Sequence, residues 1–166
     1  MIVTSTGIID GYIQDRFGKR GTDFNEAGVP SRSLPLSISG YPEGTVGFAL
    51  VLEDIDAYPV VGFSWVHWTA ANLPRPELLE NESMAATDWV QGANSWISPL
   101  GGSLDRMRCS QYGGMTPPDR PHEYELRVYA LSATLDLTNG FYLNELYRAM
   151  DGKVLGTALL RGIYRH

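Results

Sequence analysis

The sequence predicts a mainly β protein, an antiparallel β-sandwich with a few peripheral helices. Three observations carry this reading. Apolar residues alternate with small or polar ones in three separate stretches, residues 45–56, 63–72 and 122–131. Glycine and proline, 18 and 10 residues, punctuate the whole chain rather than one linker. The helical patterns are short and come late, so no strand–helix–strand alternation develops.

The first forty residues are polar and irregular, and read as loops around short strands. In TVGFALVLEDID, residues 45–56, Val46, Phe48, Leu50 and Leu52 share one face. Gly47, Ala49 and Val51 make the other face apolar too, as in a strand covered on both sides. GFSWVHWTAANL follows. Parity places Phe63, Trp65, His67, Thr69 and Ala71 on one face and Ser64, Val66, Trp68, Ala70 and Asn72 on the other, so Trp65 and Trp68 are expected back to back. RPELLENE after Pro74 is a candidate short helix. Residues 77–120 have little periodicity, but Trp89, Trp96 and Tyr112 speak against disorder. HEYELRVYAL puts Leu126, Val128 and Ala130 opposite Glu125, Arg127 and Tyr129. In NGFYLNELYRAMDGK, Leu143, Leu146, Tyr147 and Met150 have helical spacing, and Asp151-Gly152 ends it. The tail KVLGTALLRGIY alternates and is assigned to a last strand. The strands bearing Phe48, Trp65 and Leu126 are expected in one sheet system.

At 166 residues the chain reads as one domain, 1–166, long enough to bury about two-thirds of its unfolded surface. Its formal charge is −6 and no Lys/Arg cluster exceeds two residues, which argues against nucleic acid and against an anionic membrane surface as partners. No apolar run is long enough to span a bilayer, so no stable membrane insertion is expected. Cys109 is the single cysteine, which excludes an internal disulfide framework and fits a reducing compartment. The N-terminus MIVTSTGIIDGY lacks a signal-peptide pattern, and the expected location is the cytoplasm.

Chemistry-bearing residues fall into three pairs at i, i+2: Asp54/Asp56, Trp65/His67 and His122/Tyr124. In an extended chain both members of each pair project to one face. If the strands neighbour one another, the pairs converge at one sheet end. The plainer readings are a solvated DIDAYP turn and a histidine satisfied in the core. Phosphate-loop, HExxH and GxSxG motifs are all absent, so no cofactor is expected. Two histidines and carboxylates allow a metal on inventory alone, but the common zinc spacings are missing and none is expected.

Taken together, SRSLPLSISGYPEGTVGFALVLEDIDAYP, WVHWTAANLP, QGANSW, YGGMTPPDRPHEYELRVYAL and GTALLRGIY resemble the phosphatidylethanolamine-binding protein family, in particular its bacterial, Raf-kinase-inhibitor-like branch. The resemblance runs in order from about residue 30 to residue 164. It implies a β-sandwich with a small pocket for phosphate-like or carboxylate groups, such as a phosphoethanolamine headgroup. Asp54, Asp56, Trp65, His67, Pro118, His122 and Tyr124 are the residues it assigns to that pocket, and the backbone of Gly114 is a further candidate donor to an anion there. It implies binding and regulation more than turnover. The alternatives are a small hydrolase or lyase using His/Asp acid–base chemistry in the same pocket, and a protein-interaction inhibitor of a kinase or protease. It also implies a homodimer, for which the aromatics of residues 89–112 are the candidate surface. The family's DPDAP turn is DIDAYP here, with Ile55 for a proline and Tyr58 as an extra residue, so a longer loop and a different rim are expected.

An anion between two carboxylates meets repulsion of about 4 kcal/mol per pair at 4 Å and an effective dielectric near 20. Three devices can offset it: a protonated His67 or His122, donation from the Tyr124 hydroxyl and the Gly113-Gly114 backbone, or a protonated aspartate.

Overall fold

The computed structural model describes residues 1–166. Ten strands and two helices follow in order: β1 (Ile2–Thr4), β2 (Ile8–Ile9), β3 (Tyr12–Ile13), β4 (Leu36–Ser39), β5 (Gly47–Asp54), α1 (Tyr58–Val61), β6 (Trp65–Leu73), β7 (Glu77–Leu78), β8 (Val90–Gly92), β9 (His122–Leu131), α2 (Leu143–Met150) and β10 (Val154–Tyr164). They form a seven-stranded sheet, ordered β2-β3-β10-β9-β5-β6-β8, and a three-stranded sheet, β1-β4-β7. Pairing is antiparallel except where Ile163 of β10 meets Tyr12 of β3 in parallel. Phe48, Trp65 and Leu126 lie on β5, β6 and β9, three adjacent strands at the middle of the large sheet.

The two apolar faces of β5 are covered from both sides, as its sequence requires. Phe48, Leu50 and Leu52 pack with Val3, Leu36 and Ile38 of the small sheet. Ala49 and Val51 pack under Leu146 and Met150 of α2. That helix starts where the Glu145 carboxylate accepts from the Tyr142 N–H at 2.7 Å, the acidic half of a capping box.

The RPELLENE segment is not helical. Leu78 is 3 % exposed and its neighbour Leu79 is 72 % exposed, an alternation that suits a strand. Leu78 pairs with Leu36 in the small sheet, while the Glu80 carboxylate accepts from Arg16 and Arg32. Core burial and these ion pairs override the local helical propensity. Of the aromatics of residues 89–112, Trp89 and Tyr112 are buried edge-on against Trp68, while Trp96 keeps part of its surface exposed. No helix is long and apolar enough to cross a membrane.

The ladder between β5 and β6 carries two irregularities. Leu52 pairs with Trp68 and Glu53 with Val66, so His67 is an extra residue in β6. A second shift lies between Phe48 and Leu50, beside Asn72, whose φ of 61° is left-handed. Asn72 is suited to that conformation, and its amide exchanges two hydrogen bonds with the Leu135 backbone, at 2.8 and 3.0 Å.

Candidate functional site

The C-terminal end of β5 and the N-terminal ends of β6 and β9 meet at one edge of the large sheet. Asp54 is in register with Trp65 on one side and Tyr124 on the other. Leu52, two residues earlier on β5, pairs with Trp68 and Leu126. Trp65 and Trp68 therefore share a face, contrary to the parity expectation, because the bulge at His67 shifts the alternation by one residue. Trp68 continues into the core and Trp65 faces a cavity of about 330 Å³.

The floor of that cavity is made by Asp54, His67 and His122. His67 is fully buried, with its ring edge-on to Tyr124 and Trp96 at 5.1 Å each. Its Nδ1 lies 2.8 Å from the Gly113 carbonyl oxygen, so Nδ1–H donates and Nε2 is left as an acceptor. Burial pushes the His67 pKa down, against the opposing pull of the Asp54 charge. The unfolded imidazole takes its proton near pH 6.5 and the folded one only at lower pH. The stability linked to His67 is therefore full above about pH 6.5 and falls as the pH drops towards the folded value, by up to about 1.4 kcal/mol per unit. Urea unfolding at pH 7 and pH 5 should show a larger acid loss in the wild type than in His67→Asn, which retains a donor for Gly113. Equal losses in the two proteins would contradict this.

His122 lies between two carboxylates. Its Nδ1 is 2.7 Å from Asp54 Oδ2 and its Nε2 is 2.8 Å from Asp119 Oδ1. Only a ring with protons on both nitrogens donates to both acceptors. The His122 ring beside Asp119 lowers that carboxyl's pKa. His122 has no exposed surface, whereas Asp119 is half exposed, so the three groups run from solvent to the cavity floor.

Three buried polar atoms here have no hydrogen-bond partner: Asp54 Oδ1, Trp65 Nε1 and the Tyr124 hydroxyl. Burial, then the Asp54 charge and the approach of the Tyr124 hydroxyl to that carboxylate, pushes the Tyr124 phenol far above its ordinary pKa, so it stays a neutral donor. Tyr124 sits behind His67 rather than on the cavity surface. Pro118 forms part of the wall.

Two residues drawn from the sequence lie elsewhere. Asp56 is turned away from the cavity, where its carboxylate accepts from Arg120 at 3.2 Å and from the Glu123 N–H at 2.9 Å. Those two donors, Arg120 first, hold its pKa below the usual carboxylate range. The i, i+2 argument fails because β5 ends at Asp54 and a 3₁₀ turn covers Ile55–Ala57. Gly114 does not line the cavity; its N–H donates to the Pro30 carbonyl at 2.7 Å and its backbone lies beside His67. A side chain there would meet the Phe17 carbonyl at 2.4 Å. The Gly113 N–H donates to the His67 carbonyl, so this turn holds His67 in place and offers the cavity no free donor.

Residues that the pairs did not reveal complete the site. Val60 and Val61 of α1 line the cavity, as do Trp96, Leu100 and Gly101 of the long loop segment. The altered DIDAYP turn had pointed to a different rim, and Trp96 stood out as an aromatic in a loop. Asp119 had a faint signal as an acid three residues before a strand histidine.

Comparison with known proteins bears on the family and the fold. A family model described as phosphatidylethanolamine-binding protein matches residues 4–165. The chain is 47 % identical over 148 residues to the YxkA protein of Bacillus subtilis, covering 87 % of this chain and 88 % of that one. It is 37 % identical over 156 residues to a protein of Methanothermobacter thermautotrophicus, covering 86 % and 94 %. A crystal structure of a phosphatidylethanolamine-binding protein homologue from Chlamydia trachomatis superposes with a TM-score of 0.79 at 30 % identity, over 99 % of this chain and 97 % of the other. The YbcL protein of Escherichia coli gives 0.76 at 27 %, with the same coverage. With the fold, the family model and the full-length relatives in agreement, this chain belongs to the phosphatidylethanolamine-binding protein family.

Proposed function

We propose that the chain binds a small oxyacid, phosphoryl or carboxyl, in the cavity beside Asp54. The observation that carries this reading is the pairing of an unpartnered buried acceptor, Asp54 Oδ1, with an unpartnered buried donor, Trp65 Nε1, on two residues that line one cavity. Buried polar atoms in native proteins rarely go unsatisfied. A protonated oxyacid satisfies both at once, accepting from the indole N–H and donating its own hydroxyl to the carboxylate.

No lysine or arginine lines the cavity, so the ligand's proton offsets the charge of Asp54. A phosphate monoester loses its second proton near pH 6. Above that, the dianion faces the carboxylate, with repulsion of about 4 kcal/mol at 4 Å and an effective dielectric near 20. Affinity should therefore fall about tenfold per pH unit between pH 6.5 and 8, the slope of one proton taken up on binding. Calorimetry with phosphate monoesters over this range is the test. Asp54→Asn supplies an amide donor in place of the acceptor and should flatten the slope. Affinity independent of pH in the wild type would defeat the reading.

One observation supports a second reading, acid–base catalysis by a small hydrolase or lyase. The chain of groups from exposed Asp119 through His122 to Asp54 can carry a proton between solvent and the cavity floor. Turnover of small phosphate esters that disappears in Asp119→Asn would favour it.

A further inference from the structure

The cavity is too large and too apolar for its polar floor to account for all of it. At roughly 20–30 Å³ per heavy atom, the share of volume a water takes, an oxyanion head fills about a third of the space. The rest of the lining is largely apolar, with Val60, Val61, Trp96 and Leu100 among its residues. The exposed part of the lining is apolar as well: Leu100 is 65 % exposed and Val60 44 %.

The groups that would receive an ammonium are committed elsewhere. Asp56 is held by Arg120 and the Glu123 N–H outside the cavity. Asp54 Oδ2 is held by His122, and Asp54 Oδ1 is needed by the head. One face of the Trp65 ring is covered by Phe63, stacked at 6.0 Å with planes 15° apart, and Trp96 packs against it edge-on at 5.5 Å. Trp65 is thus engaged by other aromatic rings rather than standing free as one wall of a cation cage.

We propose that the ligand is a monosubstituted oxyacid whose substituent is compact and apolar, an aryl or short alkyl group lying between α1 and the Trp96–Gly101 turn. This rests on the oxyacid reading above and specifies the part of the ligand that reading leaves open. The selectivity comes from the turn after β5. Its extra residue, Tyr58, starts the helix that brings Val60 and Val61 to the cavity wall. Burying apolar surface between these walls favours such a substituent, whereas an ammonium would lose its hydration there without gaining a partner.

The test is calorimetry at pH 6.5 on two matched sets: inorganic phosphate, phosphoethanolamine and phenyl phosphate; and acetate and benzoate. Phenyl phosphate should bind about ten- to a hundredfold more tightly than phosphoethanolamine, or benzoate by a similar factor over acetate. The set that shows the gain identifies the head. Leu100→Ser and Val60→Ser, both at exposed positions, should each weaken the aryl ligand about threefold to tenfold and inorganic phosphate far less. If the heads bind but the aryl group brings no gain, or if phosphoethanolamine binds more tightly, this inference is overturned and the oxyacid reading stands. If no member of either set binds, the oxyacid reading itself falls, and this inference with it.

Discussion

In His122→Ala the protein is expected to lose about 3–5 kcal/mol of stability, more than the about 1.5–3 kcal/mol of a single hydrogen bond to a charged group. Asp54 is buried, and its Oδ2 has His122 Nδ1 as partner at 2.7 Å. Removing the ring leaves a buried carboxylate whose two oxygens both lack a partner, since Oδ1 has none to begin with. The larger loss follows from that uncompensated charge rather than from the missing contact. His122→Gln keeps a donor of similar reach and should recover part of the stability. Urea unfolding of the three proteins at pH 7 checks this. A loss below about 1 kcal/mol in the alanine variant would show that Asp54 is not held as a charged group by His122.

The second large effect is expected at Trp68→Ala, at about 3–5 kcal/mol, the range for removing a large buried aromatic. Trp68 is almost wholly buried, edge-on to Tyr112 at 5.5 Å and Trp89 at 6.0 Å. Its Nε1–H donates to Gln91 Oε1 at 2.8 Å, an oxygen that also accepts from the Ser83 hydroxyl at 2.6 Å. The same hydroxyl oxygen accepts from the Tyr112 N–H at 2.9 Å. The ring thus fastens the long segment that carries Trp96 to the central sheet. Trp68→Phe should cost less, about 1–2 kcal/mol, because Gln91 retains Ser83 and most of the apolar volume remains. Alanine and phenylalanine variants of equal stability in denaturant titrations would refute this account.

Much of the fold was legible because its central strands write their burial into the sequence. The two apolar faces of β5, the alternation of β9 and the period of α2 follow from which side each element buries. Residues 77–82 misled because two adjacent leucines fit a helix as well as a strand, and only the small sheet decides between them. In the site, Trp65 and His67 could be paired by parity, and Asp54 and His122 could be singled out because each lies at a strand end. Asp56 could not, since the strand stops two residues before it. Trp68 was assigned the wrong side because a bulge leaves no mark in the alternation itself. The walls from Val60 and Leu100 come from a turn and a loop brought together by tertiary packing, for which local pattern carries no signal.

The bulge at His67 has a bearing on how such a site is gained or lost. Without that residue, the pairs Leu52–Trp68, Glu53–Val66 and Asp54–Trp65 advance one for one along the two strands. His67 is thus the single residue of this stretch that the ladder does not use. Deleting its codon would leave the Cα partners on either side in step, and inserting it would add an imidazole to the cavity without disturbing the frame of the sheet. Asp54 and Trp65 are themselves rungs of the ladder and offer no such freedom. A feature that looks like a fault in the strand is a place where chain length can change by one, so that function can be added to a standing scaffold.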